Sequence, residues 1–435
     1  MERLLMNDLV KWKDNQNKKP LILQGVRQCG KTFLLREFGA KYYDDVYYCK
    51  FDEDLRLIDF FNDNLDPLRI IKDMSISRGK DIKPHTTLII FDEIQSCGKA
   101  LTALKYFQEE APEYHVIAAG SLLGVAIPKG TSFPVGKVEF LTLYPMNFYE
   151  YLLAHNSLLA EFLKTEPVTE YRWRSYISML EELYREYQIV GGMPEVVQSW
   201  IDSKSIEKVE KIQSQIIMSY ENDFAKYAPI TEFPKLTAIW ASIPNQLAKE
   251  NKKFIFNQVN NSWRAKDLEN ALEWLIRSRL VYKVTNLEKP NFPISAYANQ
   301  TFFKLYMCDI GILRRLANLP PSVIMDKSNN FIEFKGAMAE NFICCELKHL
   351  LNSNLYYWTA EGSARAEVDF VVQSNAYIIP IEVKAGTAKN ARSLSQYCNK
   401  YNPEKSVLTS LDYDKDNILP LYMFWKFQDW IEKAN

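Results

Sequence analysis

The feature that most constrains this chain is a glycine-bounded loop that follows a short apolar run. Residues 25–32 read Gly-Val-Arg-Gln-Cys-Gly-Lys-Thr and fit the pattern G-x-x-x-x-G-K-S/T of a phosphate-binding loop. Glycine at both ends lets the backbone turn tightly around an anion, and the N-terminus of the next helix adds partial positive charge. The apolar run before the loop and the helical pattern after it predict a strand–loop–helix unit that binds a nucleotide.

The side chains of this loop have distinct expected roles. Lys31 is expected to reach the β- and γ-phosphates of the nucleotide, and Thr32 is expected to place its hydroxyl on Mg²⁺. The residues expected to contact the nucleotide are Gly25, Arg27, Gln28, Cys29, Gly30, Lys31, Thr32 and Phe33. ATP and Mg²⁺ are the cofactors that this set of residues predicts.

A continuous apolar strand that ends in two acids supplies the second motif. Residues 86–91 suit a parallel sheet buried on both faces, and Asp92 and Glu93 follow them. Asp92 is predicted to hold Mg²⁺ through water, and Glu93 to act as general base toward the attacking water. Ser121, at the end of the next buried strand, is a candidate sensor of the γ-phosphate; the alternative is a small residue at a strand–loop junction. Strands that alternate with helices predict a doubly wound parallel sheet.

The C-terminal part of the chain carries a third group of charged residues. Glu382 and Lys384 lie two apart on a predicted strand and therefore share one face, and Asp369 belongs to the preceding strand. With a turn centred on residues 374–375, Asp369 is predicted to lie opposite residue 380 and diagonal to Glu382, within about 8 Å. Two carboxylates so placed can bind a divalent cation, and an ammonium beside them can orient water or stabilise a pentacovalent phosphate.

This arrangement, with Glu340 near the head of a preceding helix, is the D…E-x-K pattern of PD-(D/E)XK nucleases. The predicted catalytic residues of this acid site are Glu340, Asp369, Glu382 and Lys384. Asp369 and Glu382 are the predicted metal ligands, and Gln396 and Tyr397 are expected to line the same site. A solvated strand face is the alternative interpretation, because an isolated E-x-K sequence is common.

Length and pattern changes predict four domains in the 435 residues. A P-loop ATPase domain is expected over residues 1–150, and a helical lid over 151–231. A winged-helix-like module is expected over 232–320, and a PD-(D/E)XK-like α/β domain over 321–435. The winged helix would place a basic helix in a DNA major groove, with a hairpin as its wing; a module that packs between domains is the alternative.

Composition limits the partners and the surroundings of the chain. The formal net charge is −1, so contact with DNA has to come from local basic patches. The seven Cys show no C-x-x-C spacing and are interpreted as free thiols in a reducing cytosol. The longest apolar stretch, residues 116–127, is too short to span a bilayer, and the first residues lack a secretory apolar core. These observations predict a cytoplasmic protein without membrane contact.

The whole chain resembles a prokaryotic family of AAA-type ATPases whose C-terminal half is a domain of unknown function with a nuclease-like fold. The motifs that carry the resemblance are Gly25-Val-Arg-Gln-Cys-Gly-Lys-Thr32, Phe91-Asp-Glu-Ile-Gln95, Ala119-Gly-Ser121, Gly136-Lys-Val138 with Leu143-Tyr-Pro-Met-Asn-Phe148, Gly191-Gly-Met-Pro194, Lys304-Leu-Tyr-Met-Cys-Asp-Ile-Gly311, Glu367-Val-Asp-Phe370 and Ile381-Glu-Val-Lys384. The resemblance implies binding and hydrolysis of Mg-ATP, and it leaves the cellular role open.

Two functions from different classes are consistent with these motifs. The first is an ATP-driven enzyme whose C-terminal domain cleaves DNA, and the retained acids and lysine favour it. The second is an ATP-gated switch whose C-terminal domain binds nucleic acid or protein without cleaving it, which the near-neutral charge favours. The expected partners are ATP, DNA and further copies of the chain in a homo-oligomer. Arg27 and Arg264 are the candidates for an arginine finger.

Overall fold

A computed structural model of the protein describes residues 1–54, 56–121, 123–125, 132–168, 172–250, 252–325, 332–360, 366–386, 391–413 and 418–433. The β-strands are β1 (Leu21–Gln24), β2 (Asp45–Lys50), β3 (Thr87–Asp92), β4 (His115–Gly120), β5 (Glu139–Thr142), β6 (Val281–Leu287), β7 (Ala298–Met307), β8 (Leu355–Thr359), β9 (Glu367–Ser374), β10 (Tyr377–Val383), β11 (Val407–Ser410) and β12 (Ile418–Pro420). They form two sheets, one of five strands and one of seven.

Helices precede, connect and cover these strands. The α-helices are α1 (Leu5–Asp14), α2 (Lys31–Tyr42), α3 (Arg56–Asp59), α4 (Pro67–Arg78), α5 (Gly98–Glu110), α6 (Phe148–His155), α7 (Ser157–Thr165), α8 (Ile177–Val190), α9 (Pro194–Ser203), α10 (Ile206–Tyr227), α11 (Phe233–Leu247), α12 (Ala265–Arg277), α13 (Ile310–Leu316), α14 (Pro321–Met325), α15 (Ile332–Leu351), α16 (Arg392–Tyr401) and α17 (Phe427–Lys433). None of the helices in the described ranges is long and apolar enough to cross a membrane.

The five-stranded sheet is parallel throughout, in the spatial order β2-β3-β4-β1-β5. Alternate residues of β1 enter two separate cores: Leu21 and Leu23 pack on one face, and Ile22 packs on the other. Helices therefore cover both faces, which is why the apolar runs of β1, β3 and β4 are continuous. The parallel α/β sheet expected for the first domain is present. β2 lies at the edge, and β4 is the strand that separates β1 from β3.

The seven-stranded sheet is mixed, in the order β12-β11-β10-β9-β8-β6-β7. The hairpin expected as a wing forms, with Val281 opposite Met307, but its strand β6 also pairs in parallel with β8. The hairpin is thus the edge of the C-terminal sheet, and the division predicted at 320/321 runs through one continuous sheet. A separate winged-helix module over 232–320 is not confirmed, because patterns in one hairpin cannot reveal which distant strand it joins.

A glycine pair between α8 and α9 joins three parts of the chain. A Cβ at Gly192 would lie 2.0 Å from the carbonyl oxygen of Met146, and one at Gly191 would lie 2.4 Å from Oδ1 of Asp309. The backbone N–H of Gly192 donates to Asp309 at 2.6 Å. Burial raises the pKa of Asp309 to about 6, although hydrogen bonds from the backbone N–H groups of Gly192, Gly311 and Ile312 oppose the shift. The glycine pair therefore contacts both the connection between β5 and α6 and the residues that follow β7.

Candidate functional site

The phosphate-binding loop (residues 25–32) connects β1 to α2. A Cβ at Gly25 would lie 2.2 Å from the carbonyl oxygen of Leu143, and Gly30 has a φ of +96°. Both positions therefore require glycine, the first for close approach and the second for its backbone conformation. The buried ammonium of Lys31 donates to two carbonyl oxygens of the loop, at 2.9 and 2.8 Å. Lys31 is thereby held against the backbone of the loop, and its predicted contact with the phosphates stays a prediction.

Asp92 connects this loop to β3. Its Oδ2 accepts hydrogen bonds from the hydroxyl of Thr32 at 2.7 Å and from the hydroxyl of Tyr48 at 2.6 Å, and the residue is buried. A hydroxyl in contact with a carboxylate offers the oxygen ligands that Mg²⁺ prefers. Thr32 and Asp92 therefore fit the predicted metal role, which stays a prediction.

Glu93 occupies a sharp turn directly after β3, with a φ of +51°. The side-chain amide of Gln95 donates to Oε2 of Glu93 at 2.5 Å. Gln95 is buried, so its amide fixes the direction of the carboxylate that is predicted to act as general base. The sequence did not predict a role for Gln95, because no sequence pattern indicates a hydrogen bond between two side chains across a single turn.

A cavity of about 240 Å³ opens beside the loop. The residues that line it are Gln24, Gly25, Gly120, Ser121, Leu123, Gly124, Ile276, Arg277 and Arg279. Ser121 is buried directly after β4 and borders this cavity, and its predicted role near the γ-phosphate stays a prediction. Arg279, which lies between α12 and β6, donates to the side chain of Gln24. A basic side chain that directly precedes β6 of the seven-stranded sheet thus lies beside the phosphate-binding loop.

The remaining loop residues differ in exposure and partners. Arg27 forms an ion pair with Asp223 of α10, and the Tyr220 hydroxyl donates to the Arg27 carbonyl oxygen at 3.0 Å. Burial raises the pKa of Asp223, although the charge of Arg27 opposes the shift. Gln28 has a φ of +65°, Cys29 is buried, and the side chain of Phe33 is exposed.

Of the two candidate arginine fingers, Arg27 is thus paired within the chain through its contact with α10. Arg264 lies at the start of α12, where its 74% exposed side chain contacts Asp267. Neither position lines the cavity beside Ser121. Arg277 and Arg279, near the opposite end of α12, do line it.

The acid site lies on β9 and β10, in a register that differs from the predicted one. Ile381 pairs with Phe370, so the same register places Asp369 directly opposite Glu382 rather than opposite residue 380. The predicted turn was one residue too early: Ser374 pairs with Tyr377, and the two loop residues are 375 and 376. The corrected register brings the two carboxylates closer than the diagonal arrangement would.

Each acid of this site has defined partners. Oδ2 of Asp369 accepts from the backbone N–H of Val383 at 2.8 Å, and Lys384 donates to Oε1 of Glu382 at 2.6 Å. The other oxygen of Glu382, Oε2, is buried and has no hydrogen-bond partner among the residues that the structure describes. α15 begins at Ile332, so Glu340 lies in its middle rather than near its head as predicted.

Two further lysines and a tyrosine reach the acid site from the segment before it. Lys252, between α11 and β6, forms an ion pair with Oε1 of Glu340. Lys304 of β7 is fully buried, 3.6 Å from Oε2 of Glu340 and 2.6 Å from Glu367. The hydroxyl of Tyr306 donates to Oε2 of Glu340 at 2.8 Å. The acid site is therefore built from both the predicted winged-helix segment and the predicted nuclease-like segment.

Opposed electrostatic effects distinguish the three acids. Burial would raise the pKa of Glu340, but the charges of Lys252 and Lys304 lower it to about 2. Burial and the neighbouring carboxylates raise the pKa of Asp369 well above its ordinary value. Burial also raises the pKa of Glu382, even though Lys384 opposes the shift. Glu340 is therefore the acid of this site that ionises most easily, and ionisation of Asp369 or Glu382 beside it is less favourable.

The predicted metal role of Asp369 and Glu382 stays a prediction. Within the described ranges, no three His, Cys, Asp or Glu side chains are grouped so that they could hold a metal ion. Tyr397 does not line the acids: it packs edge-on against Trp358, with ring centroids 5.2 Å apart, and Gln396 is exposed beside it. The residues that sequence reasoning missed are Lys252, Lys304 and Tyr306. The available signal was the lysine inside the otherwise apolar run of residues 302–307.

Three family models match separate parts of the chain. Residues 17–152 match an AAA domain, residues 181–323 a domain of unknown function (DUF8612), and residues 335–424 another domain of unknown function (DUF4143). The chain therefore carries an AAA-type P-loop ATPase domain, as the first motifs predict. The match to DUF4143 does not confirm the predicted nuclease resemblance, because that family has no known function.

Similar proteins add little about function. An uncharacterized protein of Methanocaldococcus jannaschii is 24% identical over 431 residues, which cover 93% of this chain and 87% of that protein. A Walker-type ATPase of Pyrococcus abyssi has a solved structure that covers 72% of this chain and 94% of its own, with 15% identity and a TM-score of 0.43. AMPPCP-bound DnaA of Aquifex aeolicus covers 62% of this chain and 75% of its own, with 15% identity and a TM-score of 0.29. None of these likenesses assigns a function to the chain.

Proposed function

We propose that the protein binds and hydrolyses Mg-ATP at the phosphate-binding loop. The observation that carries this proposal is the 2.7 Å hydrogen bond from Thr32 to Asp92, which joins the loop to the acid-bearing strand across β4. Mg²⁺ held by these two residues would neutralise phosphate charge. The loop donors and Lys31 would hold the β- and γ-phosphates.

Glu93 is the proposed general base of this hydrolysis. It follows Asp92 directly, and Gln95 holds its carboxylate, so its direction is set before substrate arrives. A carboxylate in that place can accept a proton from the water that attacks the γ-phosphate. Ser121 is the proposed contact to the γ-phosphate from the far side of the cavity.

Phosphate release in Mg-ATP tests this proposal on the full-length protein. Steady turnover by the parent and loss of nucleotide binding in Lys31→Ala are the expected results, with Lys11→Ala as an exposed control. If fluorescent ATP and ADP bind equally well to the parent and to Lys31→Ala, the site is not where we propose it.

We further propose that the acid site cleaves phosphodiester bonds of DNA. The facing pair Asp369 and Glu382 supports this proposal, as does Lys384 at 2.6 Å from Glu382. Lys384 would stabilise charge on the reacting phosphate, and the carboxylates would orient the attacking water. Glu340, in contact with Lys304 and Tyr306, would position the other groups.

Cleavage of linear, nicked and single-stranded DNA, with Mg²⁺ or Mn²⁺ and with or without ATP, tests this second proposal. Products formed by the parent and absent in Lys384→Ala are the expected result. If products persist in Lys384→Ala and in Asp369→Asn, they come from elsewhere, and the assignment is wrong.

A non-cleaving, ATP-gated switch remains a second candidate for one specific reason. Lys252, Lys304 and Lys384 already pair with carboxylates of the acid site, so its charges are largely compensated within the chain. A compensated cluster can stabilise a binding fold without chemistry. Retained DNA binding, together with ATP hydrolysis and no cleavage under any metal, would favour this candidate.

A further inference from the structure

Arg279 lines a second cavity, of about 330 Å³, in addition to the one beside the phosphate-binding loop. We call it the basic cavity, after its four charged lining residues Arg279, Lys283, Lys348 and Glu273. It lies among α12, β6, β7, β8 and α15, and Ile276 also lines both cavities. The basic cavity therefore adjoins the nucleotide region but has two lysines of its own.

The three cations of the basic cavity are paired with neutral oxygens. Lys283 donates to the side-chain oxygen of Gln300 at 3.2 Å, and Lys348 donates to the carbonyl oxygen of Ser353 at 2.6 Å. Arg279 donates to the side chain of Gln24. Among the residues that the structure describes, no carboxylate forms an ion pair with any of the three, whereas each lysine of the acid site has such a partner.

One carboxylate, that of Glu273, lines the basic cavity together with these cations. It is 54% exposed and accepts from Nε of Arg277 at 2.6 Å, so a cation that does not line the basic cavity already balances it. Burial lowers the pKa of Lys348 against an opposing effect of Cys344, and the charge of Arg279 lowers it further. Neighbouring cations of this kind leave an excess of positive charge that a bound anion would relieve.

Aromatic and aliphatic side chains form much of the remaining wall. Tyr282 of β6 and Tyr356 and Leu355 of β8 are buried and line the cavity. The rings of Tyr144 and Tyr282 meet edge-on, with centroids 6.2 Å apart. A cavity of this volume that combines apolar walls with a few polar groups is typical of a site for a small organic molecule.

We propose that the basic cavity binds a small phosphate monoester of about mononucleotide size, whose phosphate is held by Arg279, Lys283 and Lys348. A phosphate monoester carries a charge of about −2 near neutral pH, which matches the excess of the three cations over the one carboxylate. The guanidinium of Arg279 can donate to two oxygens of one phosphate, and the lysines supply point charges. The tyrosines of the wall would pack against the organic part of the ligand.

This binding site is separate from the nucleotide site and from the acid site. Lys283 and Lys348 do not line the cavity beside Ser121, and the oxygens that they contact belong to neither of those sites. Substitution of either lysine therefore tests the basic cavity without removing a side chain from the proposed ATP site or from the acid site.

Isothermal titration calorimetry tests the proposal with four probes: AMP, glucose 6-phosphate, inorganic phosphate and adenosine. All proteins are full length and carry Lys31→Ala, so that the phosphate-binding loop contributes as little as possible. We expect one of the two esters to bind more tightly than inorganic phosphate and adenosine. Lys283→Met and Lys348→Met should each weaken its binding at least about tenfold, because each removes a charged donor to the phosphate. Lys11→Met, on the exposed surface, should have no effect.

A substitution of opposite sign and three contrary results complete the test. Glu273→Gln should tighten binding of the ester about threefold, because it removes a negative charge beside the cavity. The proposal is overturned if neither ester binds at millimolar concentration, if inorganic phosphate or adenosine binds as tightly as the esters, or if neither lysine substitution weakens binding. If Lys348→Met does not fold, Lys283→Met on the β6–β7 hairpin makes the same comparison. None of these results depends on ATP hydrolysis, so this proposal and the proposed ATPase activity fail independently.

Discussion

The nucleotide site and the acid site are both groups of buried polar residues at the ends of strands, yet they are assembled in opposite ways. The first uses one continuous loop, residues 25–32, and one acid pair, and its lysine is satisfied by carbonyl oxygens of the same loop. The second takes charged residues from α15, β7, β9, β10 and two connecting segments. Backbone groups shape the first site, and charge pairing shapes the second.

This difference indicates how each site should respond to change. Removing a side chain from the nucleotide site leaves the loop's backbone contacts in place, so function should suffer more than folding. Removing a charge from the acid site leaves buried partners uncompensated, so folding should suffer first.

The largest effect is expected for Lys304→Met, which removes a fully buried charge between Glu340 and Glu367. Two carboxylates would keep their negative charge with one fewer cation, and we expect a loss of about 5 kcal/mol in the free energy of unfolding. Urea denaturation of the full-length protein measures it. Lys31→Met, another buried lysine, is the matched control and should cost far less, because its partners are two neutral carbonyl oxygens and no buried charge is left unpaired. Equal losses for the two variants would erase the distinction between the sites.

The next effect is expected for Glu93→Gln in the nucleotide site. An amide cannot accept the proton of the attacking water, so ATP turnover should fall about 10³-fold, or ~4 kcal/mol in activation free energy, while folding stays unchanged. Phosphate release under saturating Mg-ATP gives the turnover, and fluorescent ATP binding confirms that the site is still formed. A variant that turns over ATP at the parent rate would remove Glu93 from its proposed role.

The same contrast explains which parts were predictable from the sequence. The phosphate-binding loop is a local pattern, so Gly25, Lys31 and Thr32 could be assigned before any fold was known, and alternation of strands and helices was enough for the parallel sheet. The hairpin β6–β7 was also visible, but its pairing with β8 depends on strands about 70 residues apart in the chain, which no local pattern encodes. Lys252 and Tyr306 were missed for the same reason.

A smaller, pH-dependent effect is expected for Glu340→Gln. The pKa of Glu340 lies near 2, below the ordinary value of 4.5, so its ionised form stabilises the fold above pH 4.5 and that contribution is lost as the pH falls toward 2. At pH 7 we expect Glu340→Gln to cost ~3 kcal/mol in the free energy of unfolding, because the buried lysines lose their charged partner. Urea denaturation at pH 7, 4 and 3 should show the parent's advantage over Glu340→Gln shrinking as the pH falls. A gap that stays constant with pH would mean that the lysines do not act on Glu340 through its charge.

The smallest predicted effect concerns Arg279, which belongs to neither site alone. Its side chain contacts Gln24 beside the phosphate-binding loop, and its backbone leads directly into β6 of the sheet that carries the acid site. If its guanidinium moves from Gln24 to the γ-phosphate, it would lower the barrier to hydrolysis and displace the start of β6 at the same time. We expect Arg279→Ala to lower ATP turnover about tenfold, or ~1.4 kcal/mol, and to reduce the preference for ATP over ADP.

Steady-state turnover and the ratio of ATP to ADP affinity measure the effect, with Arg264→Ala as the control from the exposed end of the same helix. A second readout is the ATP dependence of DNA binding or cleavage, which should weaken in Arg279→Ala even when excess ATP restores occupancy. If Arg279→Ala matches Arg264→Ala in both readouts, the nucleotide site and the acid site act independently, and their different construction reflects two functions carried on one chain. If Arg279→Ala instead weakens the ATP dependence of DNA binding or cleavage, Arg279 is the residue through which the nucleotide site controls the acid site.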